Sequence, residues 1–304
     1  MTKVSIITPS YNRANYIETT IKSVLNQTYN NIEYIVVDGN SNDTTKNILE
    51  KYAERNLLSY ISEPDTGMYD AINKGLSMAT GDILAYINTD DYYFPWTVSR
   101  VVEAFQKSET DLVFGDCLVN DLANKASWIN IYPRFTNRYL RVGHLIPQPT
   151  VFFKRNVFET VGAFGKNVNL LADCEYWLRS IDCGFVMSKI NEVLAVECNH
   201  GDTLRNKFLA QIDAEKALLI KTYNRSCSNQ PLIRSYKFLK YIQKEFYYLC
   251  FALSLNMCKS TSWSNFKAHY YCKIFLVNYM LAKFQKSPDF SEIWQIKHFK
   301  TGPQ

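Results

Sequence analysis

The chain has 304 residues, of which 47% are hydrophobic and 21% charged, with a formal net charge of +5. This length can bury a large core, and the composition excludes an intrinsically disordered protein. Eight cysteines occur without a CxxC pair or metal-ligand spacing, which argues against a zinc site or a disulfide framework and favours a reducing compartment. Because a strand pattern begins at residue 4 with no signal peptide before it, we expect a cytoplasmic protein.

The charge is unevenly distributed along the chain. Residues 231–304 hold 11 Lys and Arg against 3 Asp and Glu, a net of +8, whereas residues 1–230 hold 23 against 26, a net of −3. The acidic part is typical of a catalytic body. The basic part is typical of a segment that meets an anionic surface.

Strand and helix patterns alternate through the first 116 residues. The hydrophobic periodicity predicts strands over residues 4–8, 32–37, 58–62, 83–87 and 112–116, and helices over residues 15–25, 44–55, 68–79 and 98–105. Repeated βα units with short connections predict an α/β fold with a mostly parallel sheet that helices cover on both faces.

Acidic residues follow several of these strands directly. Asp38 follows the second strand, the loop 63–67 follows the third, and Asp90 and Asp91 follow the fourth. Parallel strands bring such loops to one edge of the sheet, where open α/β folds bind ligands. Adjacent carboxylates repel each other unless a cation shares the site, so we expect Mg²⁺ or Mn²⁺ with a phosphorylated substrate. The alternative is that these acids cap the following helices.

Several other chemistries lack their sequence signatures. There is no GxGxxG after the first strand, no GxxxxGK[ST] and no GxSxG, so dinucleotide-dependent redox chemistry, a P-loop and a hydrolase nucleophile elbow are poorly supported.

Four motifs occur in order: residues 8–12 (TPSYN), 36–43 (VVDGNSND), 63–75 (EPDTGMYDAINKG) and 88–91 (NTDD). Together they resemble the family 2 glycosyltransferases of the GT-A fold, over residues 1 to about 205. The resemblance implies a Rossmann-like mixed sheet with flanking helices, a nucleotide-binding half over about 1–115 and an acceptor half over about 116–205. Residues 206–304 would form a basic, aromatic-rich helical extension.

The resemblance also implies an inverting transferase that uses a nucleotide-sugar, with a UDP-sugar as the first expectation, and Mg²⁺ or Mn²⁺. Asp90 would be the metal contact, with Asn88 standing where the family's DxD motif usually has its first acid. His200 would reach the metal or the diphosphate, or be incidental. Asp91 would orient the loop or touch the donor sugar. The residues expected to hold the donor are Pro9, Tyr11, Asn12, Asp38, Asp65, Asn73, Lys74, Asn88 and Asp91.

An inverting transfer needs one general base to take the proton of the acceptor hydroxyl. The family places this base at the start of a helix, and residues 171–179 (LADCEYWLR) match that position with Asp173 as the base. Glu175 is the rival base, and the alternative for Asp173 is a carboxylate that stabilises a helix N-terminus. Gln148, Glu175 and Trp177 are expected on the acceptor side. His144 does not stand directly before Gln148, where the family often has a histidine, and we interpret it as a surface residue.

The extension contains a helical pattern over residues 208–223 and then aromatic residues interleaved with Lys. This second part is typical of an amphipathic helix at an anionic bilayer, or of a small helical subdomain that packs on the catalytic body. Its apolar run, residues 246–255, is far shorter than the ~20 residues of a membrane span. No nucleic-acid-binding pattern occurs.

The hypothesis is therefore a glycosyltransferase that acts on a glycan or lipid-linked glycan acceptor, peripheral on the inner face of the cytoplasmic membrane. The family resemblance suggests bacterial surface polysaccharide synthesis. The alternative is a non-catalytic relative that binds nucleotide or glycan, or a scaffold of a synthesis complex, although Asp38, Asp90 and Asp173 are all present. A nucleotidyltransferase would need a Gly-rich, Arg-containing first loop, which residues 9–13 do not supply.

Overall fold

The structure, a computed structural model, describes residues 1–122, 126–130, 140–141, 146–165, 168–201, 203 and 207–223. His144 and the segment 224–304 lie outside the described residues, and with them the prediction of membrane contact.

The described residues form nine strands and seven helices. The strands are β1 (Val4–Ser10), β2 (Ile32–Asp38), β3 (Ser59–Ser62), β4 (Ile83–Tyr86), β5 (Tyr92–Tyr93), β6 (Leu112–Asp121), β7 (Ala126–Asn130), β8 (Phe152–Lys154) and β9 (Met187–Asn199). The helices are α1 (Ile17–Leu25), α2 (Thr45–Ala53), α3 (Met68–Met78), α4 (Thr97–Lys107), α5 (Arg155–Val161), α6 (Ala172–Asp182) and α7 (Leu209–Tyr223), and a 3₁₀ turn spans Gln148–Thr150.

All nine strands belong to one mixed sheet, in the order β3-β2-β1-β4-β8-β6-β9-β5, with β7 paired to β6. The first four are parallel, as the βα alternation predicts. β8 is antiparallel to both β4 and β6, while β6 and β9 are parallel. The predicted α/β class with a mostly parallel sheet and flanking helices is confirmed in this part of the chain.

Two strands are longer than their sequence patterns indicated. β6 continues to Asp121, past the predicted end at residue 116, and β9 begins at Met187, ahead of the strand-like run of residues 193–196. The two strands pair with each other along most of their length, with a register shift beside Gly115. A Cβ at Gly115 would lie 2.5 Å from the Leu194 side chain. Pairing between distant segments therefore extends both strands beyond what local periodicity indicates.

Helices cover both faces of the sheet over separate hydrophobic clusters. In β4, Leu84 and Tyr86 face the cluster that includes α3 and α6. Ile83 and Ala85, with Ile87 just after the strand, face the cluster that includes α1 and α4. This is the two-residue alternation of a strand that is buried on both sides.

Pro9 lies inside β1 at the point where the sheet narrows. The Ser10 carbonyl accepts a hydrogen bond from the β2 side, at Gly39, whereas the Ile7 carbonyl accepts one from the β4 side, at Ile87. Pro9 is two residues from Ile7, so its backbone nitrogen points to the same side of the strand, towards β4. However, β4 ends at Tyr86, the residue that pairs with Ile7. The missing N–H of Pro9 therefore falls where no strand requires it.

Helix α7 follows the predicted catalytic domain and packs onto its core. Leu219 is buried, and Ile212 and Tyr223 are partly buried against the same cluster as α3 and α6. The predicted boundary at residue 205 remains a prediction. Within the described part of the chain, no helix combines the length and the apolar character that crossing a membrane requires.

Candidate active site

The loops that follow β1 and β2 are joined by hydrogen bonds between them. The Asn12 backbone N–H donates to Ser41 Oγ (2.8 Å), and Asn12 Oδ1 accepts from the Asn42 N–H (2.9 Å). Asn12 has a φ of 52°, a left-handed conformation that asparagine tolerates better than most residues. Tyr11 beside it is 57% exposed, so its ring is free to meet a ligand.

Asp38 ends β2 with its side chain fully buried. Its carboxylate accepts hydrogen bonds from the Ser41 N–H (2.9 Å), from Ser41 Oγ and from Ser62 Oγ (2.6 Å). These bonds link the loops after β2 and β3. The position at the predicted edge agrees with the sequence analysis, and contact of Asp38 with the donor stays a prediction. In this structure the Asp38 carboxylate is enclosed and holds the loops together. Pro9, also predicted to hold the donor, is buried within β1.

Asp65 approaches the loop after β2 closely enough to require a glycine there. A Cβ on Gly39 would lie 2.5 Å from Asp65 Oδ2, so Gly39 is what allows the carboxylate to approach. Asp65 Oδ1 also accepts a hydrogen bond from the Gly67 N–H (2.9 Å). The loops after β1, β2 and β3 thus form one continuous rim.

Asn73 and Lys74 hold neighbouring segments of the chain, and their contact with the donor stays a prediction. The Asn73 amide donates to the Phe164 carbonyl (3.1 Å) and accepts from the Phe164 N–H (2.9 Å), and so connects α3 to the loop before α6. Lys74 donates to the Pro64 carbonyl (3.0 Å) and pairs with Glu63 (2.9 Å). Both side chains are occupied by these contacts.

The structure brings Asp90 and His200 together across 110 residues of sequence. His200 Nε2 lies 3.0 Å from Asp90 Oδ2, and the side chains are 7% and 16% exposed respectively. The His200 ring also stacks on Tyr16, with centroids 4.6 Å apart and planes 11° apart. Tyr16 was not identified from the sequence, since a single aromatic residue before a helix carries no distinct signal.

Asp91 points away from this pair. It is 4% exposed, and its Oδ1 accepts a hydrogen bond from the Cys198 N–H of β9 (2.9 Å). Burial, with Asp91 beside it, raises the pKa of the Cys198 thiol well above its ordinary value. Of the two predicted roles for Asp91, the hydrogen bond to β9 favours orientation of the loop, and contact with the donor sugar stays a prediction.

Asn88 is oriented by a chain of side-chain amides. Gln148 Nε2 donates to the Tyr86 carbonyl (2.9 Å), so that Gln148 Oε1 faces Asn88 Nδ2 (3.2 Å). Because the Tyr86 carbonyl can only accept a hydrogen bond, it fixes the orientation of the Gln148 amide and, through Gln148, that of the Asn88 amide. As a result, Asn88 Oδ1 is a buried acceptor without a hydrogen-bond partner among the described residues. Such an atom is costly unless a ligand satisfies it.

These residues form a partial ligand set for a hard divalent cation. Asp90 and Asn88 offer the oxygen ligands that Mg²⁺ and Mn²⁺ prefer, whereas imidazole suits softer metals. The described residues contain no group of three or more His, Cys, Asp or Glu side chains that could hold a metal. Mg²⁺ commonly takes one or two carboxylates together with substrate phosphates, and the set fits a cation of that kind.

Asp173 lies in the first turn of α6, partly exposed. Its backbone N–H donates to the Tyr69 hydroxyl (3.3 Å), and its Oδ1 accepts from the Cys174 N–H (2.7 Å). The pKa of Tyr69 is raised well above its usual value, mainly by burial and secondly by the negative charge of Asp173. This phenol therefore stays protonated. Tyr69 belongs to the motif 63–75, and the structure thus joins the donor-side motif to the predicted base.

Glu175 and Trp177, which were predicted on the acceptor side, are both fully buried in this structure, and their contact with an acceptor stays a prediction. Glu175 pairs with Arg179 (2.9 Å, Oε2 to Nη2) and accepts a hydrogen bond from the Tyr223 hydroxyl (2.7 Å). Trp177 packs edge-on against Phe164 and Tyr176. Because the Glu175 carboxylate is enclosed in this ion pair, the partly exposed Asp173 is the better placed of the two candidate bases.

The chain belongs to glycosyl transferase family 2, whose sequence profile matches residues 5–162, slightly more than half of its length. A PGL/p-HBAD biosynthesis glycosyltransferase of Mycobacterium bovis is 29% identical over 208 residues, which cover 66% of this chain and 78% of that protein. A glycosyltransferase of Rickettsia typhi is 27% identical over 224 residues, covering 71% and 70% respectively.

Two solved structures share the fold at low sequence identity. The mannosyltransferase PcManGT from Pyrobaculum calidifontis, in complex with GDP-Man and Mn²⁺, superimposes with a TM-score of 0.59 and 17% identity, covering 97% of this chain and 84% of that one. Residues 1–349 of TarS from S. aureus, in complex with UDP-GlcNAc, give a TM-score of 0.54 and 15% identity, covering 95% and 77%. The protein is therefore a family 2 glycosyltransferase with a GT-A-type fold.

Proposed function

We propose that the protein is an inverting glycosyltransferase that moves a sugar from a nucleotide diphosphate, first of all UDP, to a glycan or lipid-linked glycan acceptor. The observation that carries the proposal is the constellation after β4. Asp90 and His200 pair there, and beside Asp90 the buried Asn88 Oδ1 has no partner among the described residues. A family 2 chain with this arrangement is suited to receive a cation with its diphosphate.

Asp90 would hold the divalent cation, with Asn88 as a neutral oxygen ligand and His200 as the group that orients the Asp90 carboxylate. Bound at this position, Mg²⁺ or Mn²⁺ would offset negative charge on the leaving diphosphate. The Mn²⁺ in the PcManGT complex is consistent with metal use. Tyr11, which is exposed on the rim, would contact the nucleoside, and Asn12 would hold the rim in shape.

Asp173 would act as the general base that takes the proton of the acceptor hydroxyl while the sugar–oxygen bond forms. Its neighbour Tyr69 stays protonated and so serves as a hydrogen-bond partner and not as a competing base. Gln148 lies between the Tyr86 carbonyl and Asn88 and would set the shape of the cleft near the donor.

The acceptor class is proposed from chemistry and relatives together. The mycobacterial relative is named for PGL/p-HBAD biosynthesis, and we infer that this chain likewise adds sugars to a surface glycan or its lipid-linked precursor. The net charge of +8 over residues 231–304 favours contact with the anionic inner face of the cytoplasmic membrane. Enzyme and lipid-linked acceptor would then meet on the same surface.

The test is a screen of nucleotide-sugars for Mn²⁺-dependent release of nucleoside diphosphate, with UDP-GlcNAc and GDP-mannose included. We expect release from at least one donor by the wild-type protein, and a large loss for Asp173→Asn. Binding of a donor without any release, in the presence of a lipid-extract acceptor, would favour the non-catalytic alternative instead.

A further inference from the structure

Helix α7 contacts α6, the helix that carries Asp173, at two points. We infer that α7 positions the catalytic base, with Glu215 holding the start of α6 and Tyr223 holding its middle. The inference rests on the proposed function, since it takes Asp173 as the base. It adds two positioning residues from a segment that lies beyond the matched family profile at 5–162.

Glu215 holds the backbone that leads into α6. The residue before the helix, Leu171, has no side-chain oxygen, and no side-chain hydrogen bond from that position caps α6. Instead, Glu215 Oε2 accepts from the N–H groups of Leu170 (2.8 Å) and Leu171 (2.9 Å), and Oε1 accepts from the Asn169 N–H (3.2 Å). A carboxylate is favourable beside a helix N-terminus because of the helix dipole, and here the carboxylate comes from another helix.

Tyr223 makes the second contact, one turn further along α6. Its hydroxyl donates to Glu175 Oε1, whose other oxygen pairs with Arg179. Arg179 in turn donates to the carbonyls of Val161 and Ala163, which lie at and just beyond the end of α5. Burial, and next Glu175, raise the pKa of Tyr223, so this hydroxyl stays a donor. The buried network fixes α6 between α5 and α7.

These two contacts bracket Asp173. The residue lies two positions after Leu171, which Glu215 holds, and two before the anchored Glu175, so a shift of either point moves its carboxylate. A general base must remain within hydrogen-bond reach of the acceptor hydroxyl, and a displacement of about 1 Å can lower the rate about 100-fold. The donor-binding rim is built from other elements, the loops after β1, β2 and β3. Loss of an α7 contact should therefore affect turnover more than donor binding.

The experiment compares Glu215→Ala, Glu215→Gln and Tyr223→Phe in the full chain with Asp213→Asn. Asp213 is an exposed acid on the same helix and provides the matched control. UDP release from UDP-GlcNAc gives kcat and KM, and calorimetry with UDP and Mn²⁺ gives donor affinity. We expect Glu215→Ala to lower kcat about 10- to 100-fold, with KM and UDP affinity within about twofold. Glu215→Gln, which keeps an acceptor oxygen, should recover part of that loss.

Amide hydrogen exchange over residues 169–175 gives a second readout that needs no turnover. Faster exchange there in Glu215→Ala, with Asp213→Asn unchanged, supports the inference even if UDP-GlcNAc is not the donor. Wild-type kcat in Glu215→Ala, or unchanged exchange over 169–175, would overturn it. Asp173→Asn in the same assay tests the proposed function separately, because full activity of that variant rejects Asp173 as the base whatever Glu215→Ala does.

Discussion

Two pairs of acids, Asp90 with Asp91 and Asp173 with Glu175, are built on the same plan. In each pair one carboxylate is partly exposed at the cleft, and the other is buried and bonded to a neighbouring element. The difference lies in what holds the buried member. Asp91 accepts from a backbone N–H of β9, whereas Glu175 depends on the side chains of Arg179 and Tyr223.

This difference indicates how each half of the site is kept in place. A backbone donor is present for any residue except proline at position 198, so the loop after β4 is held by the backbone of the sheet. The position of α6 depends on specific side chains, among them Tyr223 and Glu215 of α7. The donor half is therefore expected to tolerate substitution of its supporting residues better than the base half.

The largest effect is expected from the exposed member of the second pair. Asp173→Asn replaces the carboxylate that we propose as the proton acceptor with an amide of the same size, and should lower kcat about 10²- to 10⁴-fold. Nucleotide affinity should not change, because the rim loops are untouched. Steady-state kinetics together with UDP calorimetry checks this. Near-normal turnover would show that another residue is the base. Asp173 and Glu175 would then not differ in catalytic role.

The buried member of the second pair should matter for stability. Glu175→Ala leaves Arg179, whose side chain is 15% exposed, without its partner, and we expect a loss of about 3–5 kcal/mol in the free energy of unfolding. The double variant Glu175→Ala/Arg179→Met should lose less, since no charge is left unpaired. Urea unfolding measures both. Equal losses in the single and double variants would contradict a buried ion pair.

Asp90→Asn should weaken nucleotide binding only when metal is present. The change removes the carboxylate that we propose holds the cation, and we expect UDP affinity in Mn²⁺ to fall about 10- to 100-fold, since a bound cation contributes several kcal/mol at a phosphate. Without metal the variant and the wild-type protein should bind UDP alike. Asp91→Asn is the matched control and should change affinity less, as its carboxylate faces β9.

The smallest effect concerns an acid at the opposite edge of the sheet. Burial raises the pKa of Glu33, but hydrogen bonds from Lys3, Ser5 and Thr80 outweigh it and hold the pKa at about 2. Because the folded pKa is lowered, the stabilisation is present above the ordinary value of 4.5 and is lost as the pH falls towards 2. With screening at the exposed Lys3, we expect about 1–2 kcal/mol.

Thermal unfolding between pH 5 and 2 should show this loss in the wild-type protein and a flatter profile in Glu33→Gln. Parallel profiles for the two proteins would show that the Glu33 network does not contribute. We expect a bound nucleotide to leave the contribution of Glu33 to this pH profile unchanged, because Glu33 lies at the opposite edge of the sheet from Asp90.

The sequence predicted the parallel strands and the shared edge because both depend on local patterns. Asp38 and Asp90 follow runs of buried residues, and that placement alone brings them to one side of the sheet. It did not predict which acid of each pair would face the cleft. Asp91 is turned inward by a strand 107 residues away, and such a contact leaves no trace in local periodicity.

The helix α6 illustrates the same limit. Asp173, Glu175 and Trp177 lie within five residues of sequence, and the resemblance to the family assigned all three to the cleft. In the structure Glu175 and Trp177 face the core under α5 and α7, because the tertiary packing around α6 buries most of its circumference. The i, i+4 spacing of Glu175 and Arg179 was the one available signal for the buried pair.

The central claim is that this chain binds a nucleoside diphosphate through a divalent cation at Asp90. The most direct measurement is calorimetric titration of UDP and GDP into the wild-type protein, first with Mn²⁺ and then with excess chelator. The account predicts that one of the two nucleotides binds in Mn²⁺ and that chelation lowers its affinity at least about tenfold. Equal affinity with and without Mn²⁺ would contradict it.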